Sequence, residues 1–168
     1  MPSEIEQYNL NLDMRSRQAK WFETKIRYEK IMEDGQQKRV TEQYVVDALS
    51  FGETEKRITE EMTSCISGEF EVTDIKPAAY KEVFFSDAPA DDCWFKARLQ
   101  FITIDEKSGK EKRSTVTYLV QGATLQSALK NVNDAMGTTM VDYVVASLSE
   151  TKIMDVYEYV TGIKENND

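Results

Sequence analysis

WFETKIRYEKIMEDGQQKRVTEQYVVDA (residues 21–48) and WFKARLQFITIDEKSGKEKRSTVTYLVQG (residues 94–122) are two versions of one pattern, and that likeness decides the fold. With one residue inserted in the second turn, twelve positions are identical between Trp21 and Met62 and their counterparts. Among them are Trp21/Trp94, Phe22/Phe95, Ile31/Ile104, Gly35/Gly109, Lys38/Lys112, Arg39/Arg113, Thr41/Thr115, Tyr44/Tyr118 and Val46/Val120. Self-similarity at a fixed period constrains architecture more tightly than local propensity does.

Each copy opens with a period-two stretch. Phe22, Thr24, Ile26 and Tyr28 share one face while Glu23, Lys25, Arg27 and Glu29 share the other, which is the signature of a half-buried strand. Asp34-Gly35 supplies a turn, and a second strand over 38–48 directs Val40, Tyr44 and Val46 inward. In the second copy the inward sets are Phe95, Ala97, Leu99 and Phe101, then Val116, Tyr118 and Val120, joined by a turn at 107–110.

A helix is expected after each hairpin. Ser50 and Glu53 fit a capping box, with Ile58, Met62 and Cys65 at helical spacing. Thr124 caps the second helix, Leu125, Ala128, Leu129, Val132 and Met136 form its apolar stripe, and Gly137 stops it. Strand-like runs follow at 68–75 and 80–85, and again at 141–148 and 153–160. The expectation is an α+β fold of internally duplicated ββαββ units forming antiparallel sheet, with the helices on one face and the other face open.

Copies of about 65–70 residues are marginal alone, so a shared core is expected. The reading is an N-terminal arm over 1–20 and a single domain over 21–160. That domain comprises repeats 21–85 and 94–160 joined by the linker 86–93, and a tail occupies 161–168. No run approaches the roughly 18 apolar residues of a membrane span, and the N-terminus lacks a secretory h-region. Cys65 and Cys93 occupy unmatched places in the two copies, the pattern of two reduced thiols in a cytoplasmic protein.

The 168-residue chain contains no histidine, no CxxC, and neither GxxxxGK[ST] nor GxGxxG. The commonest general base, the usual triads and most zinc sites are thereby removed. Asp87, Asp91 and Asp92 are the densest carboxylates, and their turn-rich setting points to capping and solubility. The expectation is a protein that is not an enzyme and carries no cofactor and no metal.

Net charge is −9, unevenly spread. Residues 20–39 hold six Lys/Arg against four Asp/Glu, and residues 96–113 six against three, whereas residues 47–74 hold two against eight. Counting by twos along the strands sets Trp21, Lys25 and Arg27, with Arg39 on the neighbouring strand, on the face away from the apolar set. Trp94, Lys96, Arg98 and Arg113 are their counterparts. These eight residues are the candidate ligand-binding face. A protein partner or self-association is the primary expectation. Single-stranded nucleic acid, stacking on tryptophan beside phosphate-neutralising cations, is the alternative. A tryptophan that opens a strand also commonly packs against a neighbouring segment.

The WFExKIRYxK opening, the GxxKRVTEQYVVDALSF stretch and the TEKRITEEM segment resemble an uncharacterised domain family of Bacteroidetes and their phages and mobile elements, over most of the chain. The resemblance implies a bacterial cytoplasmic, phage-linked setting and transfers no site residue. The strand-rich duplication is also similar in architecture to small single-strand-binding folds of the Pur type.

Overall fold

The computed structural model describes residues 19–159. All but Ala19 and Lys20 of the expected arm, and all of the expected tail, lie outside these residues. The order β1 (Lys20–Ile31), β2 (Gln37–Ala48), α1 (Phe51–Cys65), β3 (Phe70–Ala78), β4 (Tyr80–Phe84) is followed by β5 (Cys93–Ile104), β6 (Glu111–Gly122), α2 (Leu125–Met136), β7 (Asp142–Glu150) and β8 (Ile153–Tyr157). The α+β class and the twice-occurring ββαββ order match the expectation.

The hairpins form because both turns close where glycine permits a left-handed backbone. Met32 N–H bonds Gln36 O at 2.8 Å with Gly35 at φ 82°, and Asp105 N–H bonds Lys110 O at 2.9 Å with Gly109 at φ 67°. The second loop holds the extra residue. Beyond the turns the strands pair antiparallel over their whole length, Ile31↔Gln37 to Lys20↔Ala48 and Ile104↔Glu111 to Cys93↔Gly122.

Two compact units result, and the chain passes from the first to the second after Ala78 and returns after Met154. The strand orders are β3-β1-β2-β8 and β4-β6-β5-β7. Strand β4 therefore leaves the half that encodes it and joins β6, and β8 joins β2. The β4–β6 pairing is parallel, with Tyr80↔Thr117 and Phe84↔Val120, which corrects the wholly antiparallel expectation. The segment 85–92 connects β4 to β5, two strands of the same sheet.

Both exchanged strands are fastened alike. Asp47 Oδ1 accepts Tyr159 N–H at 2.6 Å, and at the aligned position Gln121 Oε1 accepts Ser86 N–H at 2.9 Å. Tyr159 and Ser86 each lie two residues past the end of their exchanged strand. The carbonyls of Asp47 and Gln121 are in turn held by aligned helix residues, Arg57 Nη1 at 2.6 Å and Asn131 Nδ2 at 2.8 Å. Tyr157 stacks on Tyr44 with centroids 6.0 Å apart, and Phe84 on Tyr118 at 5.0 Å.

In the first unit the core is Ile26, Tyr44, Val46, Ile58 and Met62; in the second it is Phe95, Ala97, Leu99, Tyr118, Val120, Ala128 and Val132. The inward sets read from period two supply most of both. Ser50 Oγ accepts Glu53 N–H while Glu53 reaches Leu49 N–H, one residue before the cap. Thr124 and Ser127 form a reciprocal box. The second helix departs from its expected stripe: Ala128 and Val132 are buried, but Leu125 and Leu129 are 51% and 40% exposed. They lie beside the buried seam rather than within it. The opposite sheet faces are also covered in part, since Val45, Asp47, Trp94 and Leu119 are all buried. The expected open second face is confined to the hairpin-tip halves of the sheets.

Candidate functional site

The eight candidate residues do not share one environment. Trp94 is 2% exposed: Phe85 packs edge-on against it at 5.5 Å, and its carbonyl accepts both Thr151 N–H and Thr151 Oγ1–H. It is a core side chain sealed by the residue that follows β4, so no base can stack on it. This corrects its placement on an exposed face. Trp21 is half-buried at the opposite end of β1 from the turn.

Lys96 lies 5.6 Å from the centre of the Tyr80 ring, a cation–π contact that partly occupies its charge. Arg98 is exposed on the same face, beside Thr117 on one side and Ser147 on the other. Arg113 is exposed and touches Gln100 at 3.3 Å and Glu111 at 3.6 Å.

In the first unit Arg27 pairs with Glu71 across β1 and β3 at 2.7 Å, and Lys25 is half-buried one pair further down the strand. Arg39 is exposed opposite Glu29. A shallow depression of about 580 Å³ runs along this tip, lined by Arg27, Arg39, Ile31, Glu29, Glu69 and Glu71 among others. Two arginines and three glutamates give it a slightly acidic balance, unlike a groove that tracks phosphates. The structure thus brings Arg27 and Arg39 together in one unit, whereas Lys96, Arg98 and Arg113 are spread along one sheet face in the other.

Two residues that the period-two reading left out complete these tips. Ile31 and Ile104 are aligned, identical, and 70% and 72% exposed on the same faces as Arg39 and Arg113. Ile31 lies directly opposite Gln37, and Ile104 opposite Glu111, at the last strand pair before each turn. Their identity between copies was the available signal. Identity alone does not mark a surface, because isoleucine in a strand is ordinarily buried.

Charged groups near the turns and connections serve the backbone. Asp105 accepts Lys107 N–H at 2.9 Å, which with Ser108 holds its carboxyl below the usual carboxylate range. Asp91, bonded by Ser86 and Asn131, is lowered likewise. The acidic residues of segment 86–92 include this structural tie. Glu61 on α1 is raised, chiefly by burial and then by Asp155 and Glu60. Cys65 and Cys93 are both free thiols.

The family model described as a domain of unknown function (DUF4494) matches residues 20–159, and the chain belongs to that family. No curated protein and no solved structure matches the chain. Among the described residues, no helix is long and apolar enough to cross a membrane.

Proposed function

We propose that this protein is a non-enzymatic interaction module that presents its two hairpin tips to a protein partner. The observation that carries the reading is the pair Ile31 and Ile104, large apolar side chains held about seven-tenths exposed in matching places, each beside an arginine. Fully burying one such side chain contributes about 1.5–3 kcal/mol. Arginine with an apolar anchor is a composition favoured at protein interfaces. The burial of Trp94 and the acidic balance of the Arg27–Arg39 depression favour this reading over single-stranded nucleic acid. The proposed setting is the bacterial cytoplasm, in Bacteroidetes or their phages and mobile elements, where two free thiols are at home.

The test is capture from host extract with the wild type and with Ile31→Ser/Ile104→Ser, alongside thermal melts of both. Protein held by the wild type and lost by the variant at unchanged melting temperature supports the reading. Equal capture by both overturns it. Recovery of DNA or RNA insensitive to both substitutions favours the nucleic-acid alternative.

A further inference from the structure

Strands β2 and β6 are each twelve residues long, whereas the exchanged strands beside them have five. Strand β4 meets β6 only from Thr117 to Val120. Strand β8 lies at the Ala48 end of β2, where Tyr157 stacks on Tyr44 and Tyr159 N–H reaches Asp47. Among the described residues, the turn-proximal halves at 37–41 and 111–116 therefore have a hairpin partner on one side and no strand on the other.

The direction of the backbone groups follows from the turns. In an antiparallel pair, alternate residues aim N–H and C=O at the partner and the rest aim them away. The closing bonds Met32 N–H to Gln36 O and Asp105 N–H to Lys110 O make Lys38 and Lys112 face inward to β1 and β5. Arg39 and Thr41 then face outward in β2, and Arg113 and Thr115 in β6. Thr117, which belongs to the same alternating set, is indeed the residue that meets Tyr80 of β4. Both outward pairs are identical between the copies, and all four residues are exposed.

We infer that these half-open edges accept an acidic, extended protein segment, which adds as a short strand in line with β4 or β8. Main-chain bonds to Arg39 and Thr41, or to Arg113 and Thr115, would supply the affinity, as in other strand additions. The charge selects the partner. Residues 37–41 carry two cations and no anion, and residues 111–116 two cations against Glu111 alone. The glutamates of the Arg27–Arg39 depression lie on or beside β1 and β3, across β2 from this edge. Basic residues also deter edges from pairing with one another, so a segment of opposite charge is the occupant that gains where a second copy is repelled. This inference rests on the hairpin tips being the interaction surface, and it names the recognition mode there.

The test uses the full chain and a peptide of about six residues alternating glutamate with valine, read by backbone amide shifts at low salt. The expected result is shifts concentrated at Arg39, Thr41, Arg113 and Thr115. N-methylating alternate peptide amides should weaken binding at least ten-fold, and Arg39→Glu/Arg113→Glu should abolish it. Equal binding of the N-methylated peptide, shifts elsewhere, or no binding overturns strand addition. Self-association through these edges in sedimentation also overturns it. If Ile31→Ser/Ile104→Ser still abolishes partner capture, the tip surface stands without the strand. If the peptide binds as expected while capture is indifferent to both isoleucines, the edge stands and the isoleucine reading falls.

Discussion

Replacing Gly122 with alanine tests how closely α2 is seated on its sheet. A Cβ at Gly122 would lie 2.9 Å from the N, Cα and Cβ of Ala128. Comfortable carbon contacts are about 3.5–4.0 Å, so the methyl falls roughly 0.6–1.1 Å short against backbone. The helix cannot slip to make room, because Ser127 Oγ accepts from both Ala123 N–H and Thr124 N–H and Thr124 caps in return. Overpacking of this kind costs about 1–3 kcal/mol, while a glycine-to-alanine change returns about 0.4–1 kcal/mol through the unfolded chain. The expected net loss is about 1–2 kcal/mol. For a chain of this size that is a melting temperature lower by roughly 2–8 °C. Urea and thermal melts of Gly122→Ala would measure it. Stability equal to or above wild type would refute the close approach, since nothing would then offset the entropic gain.

Two further predictions follow from burial. Trp94→Ala should lose about 3–5 kcal/mol in urea melts, and Trp21→Ala clearly less, because only Trp94 is enclosed; equal losses would contradict the environments described. Burial, with Glu42 and Asp155 as further causes, raises the phenols of Tyr44 and Tyr157, and Tyr28 is pushed up to about 12. The folded state then keeps protons that the unfolded chain sheds near pH 10, so stability falls as pH rises above that value. Tyr44→Phe and Tyr157→Phe should flatten this alkaline loss in melts at increasing pH, and an unchanged slope would show that these phenols do not carry it.

Much of the fold could be read from residues alone. Alternation exposed the inward sets of the hairpin strands, since Phe22, Thr24 and Ile26 in one copy and Phe95, Ala97 and Leu99 in the other stand at period two with a charged residue between each. The strand exchange could not be read. Strands β4 and β8 have five residues each, and the apolar pattern of Tyr80, Val83, Ile153 and Val156 carries no mark of which half it packs on. The ties that select the partner, Asp47 to Tyr159 and Gln121 to Ser86, join residues far apart in sequence and of unlike type. The candidate surface was half legible. Arg39, Arg98 and Arg113 are exposed, but Trp94 is buried because Phe85 covers it, and alternation cannot foresee a cover from another element. Leu125 and Leu129 misled for the opposite reason. Their spacing is helical, yet the small Ala128 and the Gly122 contact bring the helix down on a narrower seam.

The exchange itself is best tested by cutting the chain once within 86–92, at an engineered protease site, and running the product on a sizing column with and without urea. Strand β4 stays with the N-terminal fragment and belongs to the β6 sheet, while β8 stays with the C-terminal fragment and belongs to the β2 sheet. The account predicts that the two fragments elute together as one folded particle and part only when urea unfolds them. Two fragments that separate without denaturant, each keeping a folded spectrum and a cooperative melt, would contradict it.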